Sequence, residues 1–440
     1  MPGSRMTAAE KRLESLTRLL TDVHKRLALD FGFALWDGSR APADYPKDGL
    51  AIAIADEGAI AGIVRKPTID TFLNLWVSAR IDIINGTVFD LIERRPKVRS
   101  RQIPKQVNWR LALDVMRRFL FVSRGGPWPL EKMPKHKPGS GDSAENKKNI
   151  SYHYDVSNKF YDTFLDPERG YTCGYFHDWG PLDQATAQKN KFDYICRKLR
   201  LKPGERMLDI GCGWIGLLTH AVQNYGVIGH GVTLSEDQVS WSQDKIKRLG
   251  LSDRITVELR DYASLEGERR FDKISQVEMF EHIGLAAHPK YFQTIHRLLK
   301  PDGLYLHHAS TRLAKRDDKA FLKKRPEVIA LTRYIWPGGE FDHIGMLLTN
   351  LERFGFEVHD VEDWREHYQR TFRQWHDDLY HNQEKAIAES GLVTTRMFLS
   401  WMAGCSVAFE RNTAAVYQTL VSKRRRGPSG LPPTRADLYR

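Results

Sequence analysis

Met207-Leu-Asp-Ile-Gly-Cys-Gly-Trp-Ile-Gly-Leu217 is the stretch that decides how this chain folds. Met207, Leu208 and Ile210 form the apolar run of a buried strand, the strand breaks at glycine, and a helix is expected to start near Gly216. Asp209 places an acid just before the turn. Glycines at a strand-to-helix turn let backbone approach a ligand closely, and the helix start offers unpaired N–H groups. The spacing alone fits any nucleotide-type site, and it also fits a tight turn that binds nothing.

The following units narrow the choice. A second apolar strand within Tyr225-Gly-Val-Ile-Gly-His-Gly-Val ends at Thr233, Leu234 and Ser235, and a third, Ile255-Thr-Val-Glu-Leu, ends at Arg260-Asp261-Tyr262. A fourth, Phe271-Asp-Lys-Ile-Ser-Gln-Val, ends at Glu278-Met-Phe-Glu-His282. A fifth, Gly303-Leu-Tyr-Leu-His-His308, follows a helix closed by Lys300-Pro-Asp-Gly303. Strands alternating with helical segments predict an α/β chain with a doubly wound parallel sheet. Ligands of such sheets bind beyond the carboxyl ends of the strands, where the polar residues collect here.

The rest of the chain divides into four parts. Residues 1–122 read as a smaller α+β domain. Within it, Ala8 to Leu29 is a helix with Leu13, Leu16, Leu20, Val23 and Leu27 on one face, docked on its own domain or else used for membrane contact or dimerisation. Phe31 to Leu35, Leu50 to Ala55 and Ala61 to Arg65 read as strands, Thr68 to Ile84 as a helix, and Gly86 to Ile92 as the start of another. Residues 123–148, rich in Gly, Pro, Ser and Lys, read as a mobile linker. The sheet domain spans 149–422, and 423–440 reads as a basic, disordered tail.

Composition bounds the partners. Sixty-seven basic against 55 acidic residues give a net charge of +12 in 440 residues. That surplus suits an anionic partner, nucleic acid or the anionic face of a membrane, and no nucleic-acid motif is present. The four cysteines, Cys173, Cys196, Cys212 and Cys405, lack paired spacing, which favours a reducing compartment and no metal site. No apolar N-terminal leader and no long uncharged apolar run stand out, so neither export nor a spanning helix is expected.

Gly211, Gly213 and Gly216 fit the spacing of nicotinamide enzymes, but those usually end the second strand in a ribose-binding acid. The acid before the glycines, the polar end at Thr233-Leu234-Ser235 and the Asp261-Tyr262 pair instead resemble class I S-adenosylmethionine methyltransferases. Six further stretches narrow the resemblance: Tyr152-His-Tyr-Asp-Val-Ser-Asn158, Leu165-Asp-Pro-Glu-Arg-Gly-Tyr-Thr-Cys-Gly-Tyr-Phe176, Val232-Thr-Leu-Ser-Glu-Asp-Gln238, Met279-Phe-Glu-His-Ile-Gly284, Tyr334-Ile-Trp-Pro-Gly-Gly-Glu340 and His367-Tyr-Gln-Arg-Thr-Phe-Arg-Gln-Trp375. Together they resemble the cyclopropane-fatty-acyl-phospholipid synthases and their relatives from about Asn149 to about Lys423. Residues before Gly125 resemble, more loosely, the N-terminal domain of the full-length bacterial enzymes.

That resemblance implies methyl transfer from S-adenosylmethionine to the cis double bond of a phospholipid acyl chain. Such a reaction leaves a carbocation in an apolar pocket, which calls for aromatic faces and a base. Tyr171, Tyr175, Phe176, Phe280, Trp336 and Tyr368 are the candidate aromatics. The resemblance implies a bound bicarbonate as base, with ligands carried over to Cys173, Glu281, His307 and Tyr368. For the cofactor it implies Gly211 and Gly213 at the methionine portion, Gln238 at the ribose, and Asp261 with Tyr262 at the adenine. Thr233 and Leu234 line the same groove, and Tyr171 and Thr172 close over it. It further implies a homodimer, cytoplasmic and peripheral on the inner face of the cell membrane, favoured by anionic lipid.

Two departures keep the product open. Ile215 stands where the family usually has glycine, and its branched side chain disfavours positive φ and is expected to fill space beside the cofactor's carboxylate. Glu278 stands where cyclopropane synthases commonly have glycine. Its carboxylate either enters the bicarbonate position and acts as the base or points outward to a Lys or Arg; Ala309, often isoleucine in the family, changes the floor of that pocket. Loss of a proton from the transferred methyl gives a cyclopropane. A hydride shift followed by proton loss gives a methyl- or methylene-branched chain, which a separate reductase could saturate. A methyltransferase for a small diffusible acceptor and a lipid-binding protein with a degenerate cofactor site are the competing readings.

Overall fold

The computed structural model describes residues 6–96, 102–133, 156–324 and 326–439. It forms two compact units, Met1–Pro134 with Leu392–Ser400, and Lys135–Gly391 with Trp401–Arg440. Residues 134–148 of the expected linker and Tyr152–Asp155 of the first quoted motif lie outside the described residues.

In the first unit, strands β1 (Gly32–Ala34), β2 (Arg40–Ala41), β3 (Ala51–Ile54) and β4 (Ile81–Ile84) make a four-stranded sheet in the order β2-β1-β3-β4. The helix Ala8–Leu27 starts at a Thr7–Glu10 capping box and buries Leu16, with Leu13 and Leu20 packed on the same core. It docks on its own unit. Two sequence readings need correction. Ala61 to Arg65 is the end of a helix, Glu57–Arg65, capped by the Asp56 carboxylate accepting from Ala59 N–H. A short apolar run does not distinguish a buried helix from a buried strand; here the cap decides. Thr68 to Ile84 is not one helix: Ile69–Val77 ends at Ser78, Ala79 turns at φ 55°, and Ile81–Ile84 pairs with β3.

The expected linker is also partly structure. Trp128 packs over Gly62, the Asn74 side-chain oxygen accepts from Leu130 N–H at 2.9 Å, and Leu130 is buried. These contacts satisfy polar backbone and cover apolar surface, so the unit runs past residue 122.

The second unit holds a seven-stranded sheet in the order β10-β11-β9-β8-β5-β6-β7. The strands are β5 (Arg206–Ile210), β6 (Ile228–Thr233), β7 (Ile255–Leu259), β8 (Phe271–Val277), β9 (Leu299–Arg312), β10 (Phe356–Asp363) and β11 (Ala414–Lys423). All adjacent pairs from β9 to β7 are parallel, as expected, and β11 is the antiparallel exception between β9 and β10. Side chains alternate between two cores: Met207, Leu304 and Leu420 face one, and Leu208, Tyr305 and Val421 the other. Helices Gln184–Lys198 and Gly216–Tyr225 contribute to the first core, and His288–Leu298 and Ile344–Arg353 to the second. The chain runs outward from β5 to β7 and crosses back to β8, so the switch point lies between β5 and β8, where ligands of such sheets bind.

The expected disordered tail is ordered in its last turn. Leu438 is 1 % exposed, its carbonyl accepts from the Arg197 guanidinium at 2.6 Å, Arg200 pairs with Asp437 at 2.8 Å, and Arg435 pairs with the buried Asp360. The composition of Lys423–Pro433 concealed the three anchors beyond it. The sequence also understated Gln383–Glu410, which by length and composition is apolar enough to cross a membrane; 56 % of its apolar window is buried inside the protein, and Gly391 breaks it at φ 79°. A chain ending at Lys423 should lose about 2–3 kcal/mol of stability, the order of burying one leucine side chain, read as a lower urea midpoint at nearly unchanged slope.

Candidate active site

The residues expected to hold a cofactor meet at one cavity. Tyr171, Thr172, Gly211, Gly213, Thr233, Leu234, Gln238, Asp261 and Tyr262 all line it at the carboxyl ends of β5, β6 and β7. Gly211 (φ +74°) and Gly213 (φ +53°) use backbone that side chains disfavour, and the space over Gly213 is open. A Cβ on Gly211 would stand 2.7 Å from Met279. The Thr233 hydroxyl donates to Gln238 Oε1 at 2.7 Å, and the Asp261 carboxylate braces the turn by accepting from Ala263 N–H at 2.8 Å. A glycine cradle at one end and an aromatic–acid pair at the other fit an adenosyl amino acid.

Ile215 does not fill this cavity. It takes the left-handed conformation itself (φ 58°, ψ 23°), at a cost of roughly 1–2 kcal/mol. Its side chain turns into the core beneath the sheet and is fully buried, and it is not among the lining residues. The turn is not shifted to Gly216, and the obstruction expected beside the cofactor's carboxylate is absent from the cavity wall.

Glu278 also sits at positive φ, 57°, directly after β8. Glycine is at ease there, and the glutamate is held by its N–H donating to the His308 carbonyl at 2.8 Å and by the Tyr368 hydroxyl donating to Oε2 at 3.0 Å. It points inward: the side chain is 7 % exposed, lines the cavity, and leaves Oε1 without a hydrogen bond. His308 Nε2 lies 3.8 Å from Oε1, on a ring that burial keeps neutral. Burial pushes the Glu278 carboxyl up to about 7, against the pull of Thr172, the Lys191 ammonium and Tyr368.

The other expected catalytic residues stand behind this wall. Glu281 is buried, its Oε1 accepts from Ser310 N–H at 2.6 Å, and burial followed by the Glu278 charge pushes it up to about 8. His307 Nδ1 bonds the Tyr305 hydroxyl at 2.8 Å, and burial pushes the ring down to about 3, so it is neutral. The Cys173 thiol donates to the Gly174 carbonyl at 3.3 Å, and burial raises it far above the range in which it ionises. None of these three lines the cavity. Bicarbonate fits poorly, because the Tyr368 hydroxyl expected to hold it already donates to Glu278.

Of the six candidate aromatics, Tyr171 and Trp336 line the cavity, with Trp336 stacked on His282 at 4.4 Å. Tyr368 acts through Glu278. Tyr175 stacks on Tyr194 at 4.7 Å, Phe176 on His367 at 6.0 Å, and Phe280 packs on His288 at 4.1 Å, all away from the cavity lining. Sequence reasoning missed Lys191, a buried lysine that lines the cavity. Its signal was present: Ala187, Lys191 and Ile195 share the inward face of Gln184–Lys198, where a charge is out of place.

Residues 142–419 match the family model described as mycolic acid cyclopropane synthetase. The chain belongs to that family. It is 39 % identical over 431 residues, 97 % of its own length and 100 % of the relative's, to a probable fatty acid methyltransferase of Pseudomonas putida. It is 33 % identical to the cyclopropane-fatty-acyl-phospholipid synthase of Escherichia coli K12 over 62 % of this chain and 66 % of that one. Among solved structures, mycolic acid cyclopropane synthase CmaA1 complexed with SAH and CTAB matches with a TM-score of 0.59 and 30 % identity, covering 63 % of this chain and 98 % of that one. The chain is thus an S-adenosylmethionine-dependent methyltransferase with a Rossmann-like fold.

Two substitutions separate the cradle from its support, both read by calorimetry with S-adenosylhomocysteine alongside thermal unfolding. Gly211→Val should abolish binding, since its side chain collides with Met279. Ile215→Gly should keep binding but lose about 1–3 kcal/mol of stability, the cavity cost less the relieved backbone strain.

Proposed function

We propose that this enzyme methylates the cis double bond of an unsaturated acyl chain carried by a phospholipid, and that Glu278 is the base, in place of bicarbonate, giving a methylene- or methyl-branched chain. Modification of unsaturated fatty acids by S-adenosylmethionine is the activity its relatives share. The observation that carries the finer reading is the inward Glu278: a carboxylate on the cavity wall with one oxygen held by Tyr368 and the other unbonded. The relative that matches along its whole length is named a fatty acid methyltransferase, which favours branching over ring closure.

When bound, S-adenosylmethionine supplies an electrophilic methyl, which the alkene takes up to leave a carbocation on the neighbouring acyl carbon. Ionised Glu278 stabilises that charge and takes the proton, while Tyr368 fixes the carboxylate's direction. Loss of the hydrogen on the methyl-bearing carbon gives a methyl-branched olefin, and a 1,2-hydride shift to the cationic carbon followed by loss of a methyl proton gives the methylene branch. Tyr171 and Trp336 offer ring faces to the cation. Glu281, neutral over most of the working range, limits repulsion behind the base. A methylene-branched product requires a separate reductase to saturate it.

Turnover should climb as pH rises through about 7, because the base works only when ionised and its proton affinity is raised. Glu278→Gln should cut turnover about 10²–10⁴-fold, the usual worth of a general base, and abolish that rise. Glu278→Gly with added bicarbonate should shift product toward cyclopropane, read by NMR because ring and methylene branch have equal mass. A wild-type enzyme making cyclopropane, indifferent to Glu278→Gln, would sink the assignment.

We also propose an anionic phospholipid bilayer on the inner face of the cell membrane as the partner surface of the first unit. The helix Trp109–Phe119 buries Val115 and Phe119, yet exposes Trp109, Leu113 and Met116, continued by Leu120 and by Phe121 at 90 % exposure. Lys105, Arg110 and Arg117 are exposed around these side chains, so apolar insertion and charge attraction act together. Phe121→Asp with Trp109→Asp should lower co-sedimentation with vesicles containing anionic lipid and lower turnover on them, without harming cofactor binding. Altered oligomeric state with unaltered vesicle binding would assign the patch to the homodimer instead.

A further inference from the structure

Three cations line the cofactor cavity: Arg169, Arg260 and Lys191. The first two have partners. Arg169 forms a two-pronged pair with Asp162 at 2.8 and 2.9 Å and lies 5.0 Å from the centre of the Trp241 ring. Arg260 bonds Glu258 at 3.1 Å and the Ser264 hydroxyl at 3.3 Å. Lys191 is 1 % exposed, and its Nζ has no hydrogen-bond partner and no ion pair among the described residues; the ammonium lies 4.7 Å from the centre of the Phe192 ring.

A buried ammonium without partners is costly and persists only where something offsets it. Glu278, Cys173, Asp166 and Asp209 act on it through space, with Glu278 the largest, yet burial still pulls it down to about 8. Two of these acids are engaged elsewhere: Asp209 accepts from the Ser275 hydroxyl at 2.6 Å, and Asp166 from Gly170 N–H at 2.7 Å. Lys191 therefore holds a donor set open toward the cavity. It shares the cavity wall with Asp209 and Gly211 at the end of β5, and Asp209 acts on it through space, whereas the Asp261–Tyr262 pair follows β7, two strands away in the sheet. A ligand lying with its adenine at that pair and its amino-acid portion at Gly211 brings one anionic group to the turn.

We propose that Lys191 is the cation that binds the α-carboxylate of the cofactor's methionine portion. The proposal rests on the cofactor reading and adds a residue to it. Pairing two charges in a dry site explains why a lysine is kept at an inward helical position where Ala187 and Ile195 flank it on the same face. It also divides the acids' roles: Glu278 is left to face the acyl chain, since the lysine is claimed by the ligand during turnover.

The test uses calorimetry with S-adenosylmethionine and with its decarboxylated analogue, which lacks only the carboxylate. Wild type should prefer the intact cofactor about 10- to 100-fold, the range of a charge-assisted hydrogen bond. Lys191→Met should lose that preference while binding the analogue as wild type does, which at once shows that the variant is folded. Lys191→Arg should retain much of the preference. Equal weakening of both ligands, or an unchanged preference, in Lys191→Met would overturn the proposal and leave the lysine as a counter-charge for Glu278 and Asp209. If Lys191→Met does not fold, the comparison moves to pH. The wild-type preference should fade above about 8, as the ammonium titrates, and persist in Lys191→Arg; parallel fading in both would equally overturn it. Wild type binding neither ligand would instead reject the cofactor reading itself.

Discussion

The candidate site of the second unit depends on a carboxylate and an ammonium being buried together at the switch point of the sheet. Glu278 and Lys191 are both buried, neither is fully hydrogen-bonded, and each shifts the other's proton affinity. Such groups are expensive, so the surroundings must over-determine them. Two cores on opposite faces of the sheet do this, by fixing β5 and β8 side by side in parallel register, with Met207 against Lys273 and Ile210 against Gln276.

Backbone strain is placed at the same spot. Ile215, in the turn between β5 and the helix Gly216–Tyr225, and Glu278, directly after the adjacent β8, both occupy the left-handed region where glycine would cost nothing. The two substitutions have different consequences. Ile215 repays its strain by filling the core, and the cavity is unaltered. Glu278 places a carboxylate on the cavity wall where a glycine would leave space. Similar backbone geometry thus tolerates a structural change at one strand end and a chemical change at its neighbour.

The arrangement also explains why histidine and cysteine behind the wall are poor candidates for proton transfer. His307 and His308 are fully buried and kept neutral, and Cys173 stays a thiol. The hydrogen bonds of His307 to Tyr305 and of Cys173 to backbone brace β9 and the segment before the helix Gln184–Lys198. Two carboxylates on the cavity wall have raised proton affinity: Asp209 is engaged by the Ser275 hydroxyl, whereas Glu278 keeps one oxygen without a hydrogen bond. Tyr368, whose hydroxyl is held far above its ordinary range by burial and by Glu278, donates and does not compete for the proton.

By itself the sequence determined the strand–turn–helix units and their parallel order, and the family resemblance pointed to nine residues that line the cavity. These depend on local patterns: apolar runs of strand length, glycines at turns and polar residues at strand ends, which place side chains without knowledge of distant contacts. The helix-or-strand choice at Ala61–Arg65, the packed Trp128–Leu130 segment and the anchored Leu438 escaped it, because each depends on a partner far along the chain. The direction of Glu278 was undecidable from one strand end; Tyr368, ninety residues on, settles it with a single hydrogen bond. Lys191 was visible only as a charge on an apolar face. Tertiary structure alone made it part of the site, by burying its ammonium at the cavity beyond the carboxyl ends of β5 and β8.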